Sequence, residues 1–593
     1  MTSIEKESPP RPGPNEQDDD EKPHASEIND VRDASGASDE ALSDPTPSVW
    51  TYKSLIASIA LSGLYVGSQI PIYFVGGELS FIIREIGQAD AGSWITVAYT
   101  LPLAAVAPFT GYLQDLVGRR YVTLVGGIFL MLGCILVATA HTFRQCIVGM
   151  CFAGAGAAVG ELAALAGVAE LVPVKKRGLH LAWVTGFVLP FTPYVLYCQL
   201  LSTRYTWRWG LWICLIWCGL WWIVIAIFYW PLSQTQARGT PVREILRQVD
   251  YIGGFLSTVG TAILLVALQA GGYSHSWKSY YVLVQLLVGV LLLVAFVVWE
   301  WKFCKNPMIP HDMFSGQRIV AKMYGLAFIA GKKQPFPHPP MPTFSNSGAG
   351  MNFYAMLNFF PLEYSEVFDP DPVKVGLRAL PAGIGTTVGA TLGNALLTWF
   401  KGHNKTILIA GCCIMTAFSG ALATITPDRE ALSIALGTMT GVGVGLVLVP
   451  SITVAVTVTP DHTIATCVAL SLSIRAIGGA IGSAVYYNVF LNKTRMYLPQ
   501  YIAEYATKAG LPAGSLKSFI ETFLTDPTKT DGIPGVTEEI IQAASIGTRW
   551  AYGKSLEYVW LSSIAFGGCA ILLCLTVEDV SKYMTSRVAA RLM

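Results

Sequence analysis

Between Gly111 and Arg120 the chain reads Gly-Tyr-Leu-Gln-Asp-Leu-Val-Gly-Arg-Arg. It places a carboxylate, Asp115, four and five residues before two guanidinium groups, Arg119 and Arg120. Two long apolar segments, about 93–112 and 121–140, flank it. Charges packed this tightly between membrane-length segments do not catalyse; they form a charged turn joining two helices. Gly111 and Gly118 permit close backbone approach and a sharp reversal there. Two further charges lie deep inside apolar runs. Glu161 sits within GAGAAVGELAALAG and Arg475 within LSLSIRAIGGAIG. An ionised side chain at such a depth is costly, so each must face a cavity or a partner. A carboxyl shielded from water favours its neutral form, which suits a group that takes up and releases a proton. A structural carboxyl bonded to a neighbouring helix is the other reading of Glu161. Arg475 needs a carboxyl or a substrate anion. Glu170 lies closer to Lys175, Lys176 and Arg177 and reads as an interfacial charge.

Gln69, Tyr73, Tyr99, Gln199, Tyr354, Asn358 and Asn394 also fall within apolar segments. Each alone serves as a bond between helices. Together they suit a cavity for an amphipathic, mostly uncharged ligand. The glycine runs at 154–160 and 441–445 lie inside apolar helices, where close helix packing accounts for them. The sequence shows no phosphate-binding loop, zinc spacing or serine-nucleophile elbow, so an enzyme is not expected. No cofactor or metal is expected either. The twelve Cys have no metal-ligand spacing, and most read as buried thiols.

These residues are carried by a chain of 593 residues, 52% hydrophobic and 13% charged, with mean hydropathy +0.48. Soluble domains carry about 25% charged residues. The composition therefore predicts a polytopic membrane protein, all-α, whose solvent is the lipid bilayer. A net charge of +1 gives no reason to expect a nucleic-acid partner. A helix needs roughly 20 apolar residues to cross the hydrocarbon. Candidates lie near 52–74, 93–113, 121–140, 145–171, 179–201, 209–230, 251–270, 279–301, 319–363, 375–399, 406–425, 431–457, 464–490 and 556–577, fourteen in all. Basic residues concentrate in the loops that an inside N-terminus would place in the cytoplasm, Arg119, Arg120, Lys175–Arg177, Arg238, Arg243 and Arg247 among them, as positive-inside orientation requires.

The Gly111–Arg120 stretch resembles the loop signature G-x-L-x-D-x-x-G-R-R of the major facilitator superfamily, between its second and third helices. The resemblance implies a solute carrier, with Gly111, Asp115, Gly118, Arg119 and Arg120 as a cytoplasmic gating latch. A fainter copy, Gly393–Gly411, lacks the Asp and falls between the second and third spans of the second half. It fits two six-helix bundles with two inserted spans, a 6+2+6 major facilitator fold. Arg144, five residues before Gly149, resembles the superfamily's second motif, which implies a part in proton coupling; a snorkelling interfacial Arg is the alternative.

The stretches IIREIG, AELVPVKKRG, TWRWGLW, VDYIGG and SIRAIGGAIG are similar to the fungal trichothecene-efflux-pump family of that superfamily. That likeness implies proton-coupled efflux of a toxic or secondary-metabolite molecule, with Glu161 and Arg144 in coupling. Their polarity within apolar segments places Gln69, Tyr99, Gln199, Tyr354, Asn394 and Arg475 as expected residues of the substrate cavity. A siderophore–iron importer, which shares the fourteen-span plan, is the second reading; a non-transporting sensor is a distant third. The fifth-span motif of drug–proton antiporters, G-x-x-x-G-P-x-x-G, is altered here to GFVLPFTPY, Gly186 to Tyr194. Pro190 and Pro193 are expected to bend that helix.

The expected domains are a disordered cytoplasmic tail at 1–48, a first bundle at 49–230, a linker with two helices at 231–305, a second bundle at 306–577 and a cytoplasmic tail at 578–593. A long extracellular loop is expected at 491–552, where Asn492-Lys493-Thr494 offers a glycosylation site. Residues 331–349 interrupt the ninth span with a Pro-rich stretch, which reads as a retained intron, the alternative being a real loop between two short segments. The protein is expected as a monomer in the plasma membrane or the vacuolar membrane.

Overall fold

The computed structural model describes residues 52–87, 94–231, 247–271, 275–304, 359–401, 403–525 and 533–585, with short pieces around 307–323 and isolated positions elsewhere. The tail at 1–48, the interruption at 331–349, Tyr354 and Asn358 lie outside the described residues.

Long apolar runs dictate helices, because a backbone in lipid must satisfy its own hydrogen bonds. The first half holds α1 (Tyr52–Ile86), α2 (Trp94–Val117), α3 (Arg119–Ala138), α4 (Phe143–Leu171), α5 (Arg177–Gly186), α6 (Tyr194–Arg204) and α7 (Arg208–Phe228). Two helices follow, α8 (Tyr251–Ala270) and α9 (Tyr280–Lys302). The second half holds α10 (Pro372–Trp399), α11 (Asn404–Ala421), α12 (Glu430–Val458), α13 (Ile464–Lys508), α14 (Leu516–Thr525) and α15 (Glu538–Leu575). Among the described residues twelve helical segments are long and apolar enough to cross a membrane. The fourteen expected spans are not all present in that set. Most of the expected ninth lies outside the described residues, and α10 carries Lys374, Arg378 and many glycines that lower its hydropathy.

The expected fifth span is two helices. Between α5 and α6 the chain passes through a 3-10 turn at Leu189–Phe191, with Pro190 and Pro193 removing two backbone donors. The expected bend is present as an irregular 3-10 stretch inside one membrane-length segment, Val174–Arg204.

Helix–helix contacts explain which faces are buried. Glycines bring α10 and α12 into backbone contact: a Cβ added at Gly385 would stand 2.6 Å from the Thr438 carbonyl oxygen. The hairpin α8–α9 packs through α8 on α2 and on α13. In contrast α7 and α9 bury little of their surface. Ile216, Leu220, Ile223, Leu287 and Leu291 stay exposed, as a lipid-facing surface demands.

The expected loop at 491–552 is largely helical. Helix α13 continues to Lys508, α14 follows, and α15 begins at Glu538. Ile502, Ala506, Leu511, Phe519, Phe523, Ile540 and Ala544 form a small core of their own there. The amphipathic spacing of these residues was hidden behind the polar composition between the spans. Asn492 accordingly lies within α13 rather than in a loop.

Candidate functional site

The charged turn closes one end of the molecule. Gly118 caps α3 with φ 109°, a backbone region that side-chain-bearing residues rarely adopt. This turn places Asp115 against the N-terminus of α13, where free N–H groups and the helix dipole attract a carboxylate. Asp115 accepts hydrogen bonds from the Ala465 amide at 3.2 Å, the Thr466 amide at 2.7 Å and the Thr466 hydroxyl at 2.8 Å. Gly111, one turn earlier, lets α2 touch α13; an added Cβ would lie 3.0 Å from the Ala465 carbonyl oxygen and overlap Ala469.

Around this contact the arginines divide their work. Arg119 is buried and pairs with Asp115 at 3.3 Å and with Glu170. Arg120 donates to the carbonyls of Ala226 at 2.7 Å and Tyr229 at 2.9 Å, capping the C-terminal end of α7. Its guanidinium also stacks 3.2 Å from the centroid of Trp230. Arg177, 1% exposed, donates to the carbonyl of Ala169 at 2.7 Å and across to that of Val456 at 2.9 Å, and pairs with Asp461 at 3.6 Å. Asp115 to α13, Arg177 to α12, and the Leu179 amide to the Thr398 hydroxyl on α10 at 2.8 Å are among the bonds that join the two halves at this end.

Glu170 was expected as an interfacial charge, but it is buried beneath Arg119. Linear distance from the Lys-Lys-Arg run misled that reading, because helix α4 turns residue 170 inward. Arg177 was read only as part of a basic loop. No sequence signal separates it from Lys175 and Lys176, whereas its burial and its acceptors do.

The second feature is an ion pair in the middle of the protein. Arg475 on α13 donates to Glu161 on α4 at 2.9 Å. Glu161 is 1% exposed and Arg475 9%. Glu161 stands ten residues before the end of α4 and Arg475 eleven after the start of α13. At 1.5 Å per residue each lies about 15 Å from the closed end, near half the thickness of a roughly 30 Å hydrocarbon layer. Two residues expected to need partners thus supply each other, one from each half. The second oxygen of Glu161 accepts no hydrogen bond among the described residues.

Beyond this pair, away from the closed end, a cleft of ≈ 780 Å³ including its mouth separates the halves. Tyr73, Thr192, Tyr194 and Val195 face it from the first half, and Phe360, Leu380, Thr386 and Thr387 from the second. Tyr73 and Tyr194 stack at 5.0 Å. Among the described residues the lining carries hydroxyls and apolar groups and no ionisable carboxylate, amine or guanidinium.

Several expected cavity residues lie elsewhere. Tyr99 is buried and donates to the Ser68 carbonyl. Gln199 donates to the Gly77 carbonyl at 3.2 Å, and Asn394 accepts from the Thr453 hydroxyl at 2.6 Å. These three tie helices together, because a buried polar group finds its partner on the nearest helix before it lines a void. Gln69 is half-buried on α1 and does not line the cleft. Arg144 is exposed in the first turn of α4. Seventeen residues separate it from Glu161, about 25 Å along a helix, so the two do not form one site. Thr192, Thr386 and Thr387 were not anticipated; threonines in helices are too common to stand out.

The described residues contain one cluster with metal-ligand atoms, Asp250, Glu300 and Cys304. Asp250 already accepts from the Gly253 amide and the Trp299 indole, and Glu300 accepts from the Met308 and Ile309 amides. Those bonds make it a junction of the α8–α9 hairpin.

The geometry of two halves, a latch and a cleft has counterparts. The Major Facilitator Superfamily model matches residues 55–483, and the fungal trichothecene efflux pump model matches residues 375–593. The chain is 25% identical over 553 residues to the trichothecene efflux pump TRI12 of Fusarium sporotrichioides, covering 91% of this chain and 88% of that protein. It is 24% identical over 575 residues to the MFS-type efflux transporter pyiT of Pyricularia grisea, covering 94% and 88%. Among solved structures, the proton:xylose symporter XylE bound to 6-bromo-6-deoxy-D-glucose superposes with a TM-score of 0.52 at 12% identity, covering 91% of this chain and 97% of that one, which shows the shared fold. A siderophore-importer reading finds no support in these likenesses. The chain belongs to the major facilitator superfamily and is a multi-pass membrane transporter, not an enzyme.

Proposed function

We propose that the protein exports an uncharged, amphipathic toxin or secondary metabolite by alternating access, in exchange for protons. The observation that carries this reading is the buried Glu161–Arg475 pair, which spans the two halves at mid-depth. A buried pair is strong only while both charges are present; neutralising one leaves the other uncompensated. A proton delivered to Glu161 therefore loosens the contact between the halves, and losing that proton restores it. The membrane potential adds roughly 2.3 kcal/mol per charge per 100 mV, enough to bias such a cycle.

The cleft lies on the side away from the latch, so this conformation is closed at the latch end. Basic residues around the latch support placing that end in the cytoplasm, with the cleft facing outward and ready to release substrate. Its hydroxyl and aromatic lining suits a neutral oxygenated molecule. The relatives, an efflux pump and an efflux transporter, support the direction and the substrate class. Adding α10 and the stretch 319–363 to the twelve apolar segments gives the fourteen-span, 6+2+6 arrangement, working as a monomer at the plasma or the vacuolar membrane.

The test is a panel of fungal toxins and ferric siderophores applied to cells lacking or expressing the gene, with Glu161→Gln beside the wild type. Toxin resistance and proton-dependent efflux should appear with the wild type and vanish with Glu161→Gln at equal membrane abundance. Coupled efflux that survives Glu161→Gln would remove Glu161 from the mechanism. Uptake of a ferric chelate without toxin efflux would reverse the proposed direction.

A further inference from the structure

Helix α1 runs past its expected end at residue 74 to Ile86, and this extension carries Glu78 into the first bundle. Glu78 is 0% exposed, and neither carboxyl oxygen has a hydrogen-bond partner among the described residues. Gly210 of α7 makes room for it: a Cβ there would stand 2.7 and 2.8 Å from the two oxygens. The second bundle shows what a structural carboxyl looks like in this protein. Glu363, equally buried, accepts from the Ser433 hydroxyl at 2.5 Å and the Trp560 indole at 3.0 Å.

The Glu78 carboxyl faces Gly210 of α7, and α6 packs on the neighbouring Gly77 of the same turn of α1. Cys198 packs on Gly77 and donates to the Phe74 carbonyl at 3.5 Å, and Gln199 donates to the Gly77 carbonyl. The start of the same helix, Tyr194 to Leu196, lines the cleft and touches the second half, where a Cβ on Gly376 would meet Val195 at 2.5 Å. Thus α6 lines the cleft with its first turn and packs on the turn of α1 that carries Glu78, and the irregular stretch Phe187–Pro193 joins it to α5.

The titratable groups that feel the charge of Glu78 are thiols, Cys198 on α6 and Cys214 on α7; Tyr194 also borders Gly77. Arg208 of α7 is committed to Glu85 at 2.7 Å and to the Ala140 carbonyl at 2.8 Å. A carboxylate enclosed without counter-charge or donor is disfavoured, whereas the neutral acid fits this pocket.

We propose that Glu78 is a second proton-binding site, gated by α6: it holds its proton while α6 packs on its turn of α1, and releases it when α6 moves off α1 as the cleft changes shape. Occupancy of the cleft and protonation of Glu78 are then linked through one hinged half-helix. The proposal rests on the alternating-access reading, but its test needs no substrate.

Infrared spectra of the purified full chain in lipid at neutral pH, wild type minus Glu78→Gln, should show the stretch of one protonated carboxyl. A second variant, Gly77→Cys, places a thiol beside native Cys198; the added Cβ stands 3.1 Å from the Cys198 Cβ, close to disulfide range. With that disulfide formed, the protonated band should persist to a pH at least about one unit higher than after reduction, a tenfold gain in proton affinity. Absence of the band from the wild-type difference spectrum overturns the site, and a titration unmoved by the disulfide overturns the gate. A failed efflux panel would leave both spectra unchanged, so the two readings fail separately.

Discussion

Replacing Asp115 by Ala should open the closed end. Asp115 receives two backbone amides and a hydroxyl from the first turn of α13, so it acts as an N-cap supplied by the other half of the molecule. A capping side chain contributes about 1 kcal/mol, and hydrogen bonds to a charged group about 1.5–3 kcal/mol. Because these contributions overlap, a combined loss of about 3 kcal/mol is expected, roughly a hundredfold in the closed-to-open ratio at 1.4 kcal/mol per decade. Cys467 reports on it directly. It is 0% exposed, one residue beyond Thr466. Alkylation of Cys467, located by mass spectrometry on protein in lipid, should accelerate about a hundredfold in Asp115→Ala and less in Asp115→Asn, whose amide oxygen still accepts. Equal alkylation rates in wild type and Asp115→Ala, with both proteins folded by size-exclusion, would refute the latch.

Three other outcomes follow from the same geometry. Arg475→Ala leaves Glu161 buried without its partner and should cost about 3–5 kcal/mol; adding Glu161→Gln should restore most of the loss, measured by thermal unfolding in detergent. Gly118→Ala forces a Cβ into φ 109°, ψ 141°, a region nearly reserved for glycine, at about 1–3 kcal/mol, and should lower the melting temperature while leaving the pairs of Arg119 intact. At the opposite end, burial works against ionisation of Glu85, but the bonds from Arg208 and Trp207 outweigh it and hold the carboxyl below its ordinary range. A group depressed on folding stabilises above its unfolded value and loses that contribution as pH falls. The stability gap between wild type and Glu85→Gln should therefore be present at neutral pH and close as pH drops below about 4. A gap that widens on acidification would contradict this.

How much of this was legible depended on whether a residue announces itself locally. Asp115 and its glycines were readable because a turn between two apolar runs leaves a fixed pattern, and because a helix end attracts a carboxylate wherever it lies in sequence. The partner, Thr466, was not readable, since it sits 351 positions away. Glu161 and Arg475 were each conspicuous as charges in apolar segments, and the need for an opposite charge was stated for Arg475. That they satisfy each other required the packing of α4 on α13. Tyr99, Gln199 and Asn394 show the reverse case. Their polarity suggested a cavity, yet a hydroxyl or amide in a membrane bundle bonds to whichever helix is nearest.

Glu78 escaped notice for a different reason. Hydropathy placed the end of the first span at residue 74, four residues short of this carboxyl. The helix continues because nothing after residue 74 stops it: Gly76 and Gly77 weaken it by roughly 1 kcal/mol each, while Phe81, Ile82 and Ile83 give it an apolar continuation. Helix length in a transporter thus reflects packing against neighbours as well as hydrocarbon thickness. The same error moved the opposite way at 491–552, where polar composition was read as loop although α13 and α15 run well past the apolar windows. Both cases put ordered helix beyond the apparent edge of the membrane. They also give a rule that can be checked on this chain: Glu78→Lys, harmless if the residue were an exposed loop charge, should prevent folding of the first bundle because no described acidic group is placed to pair with it.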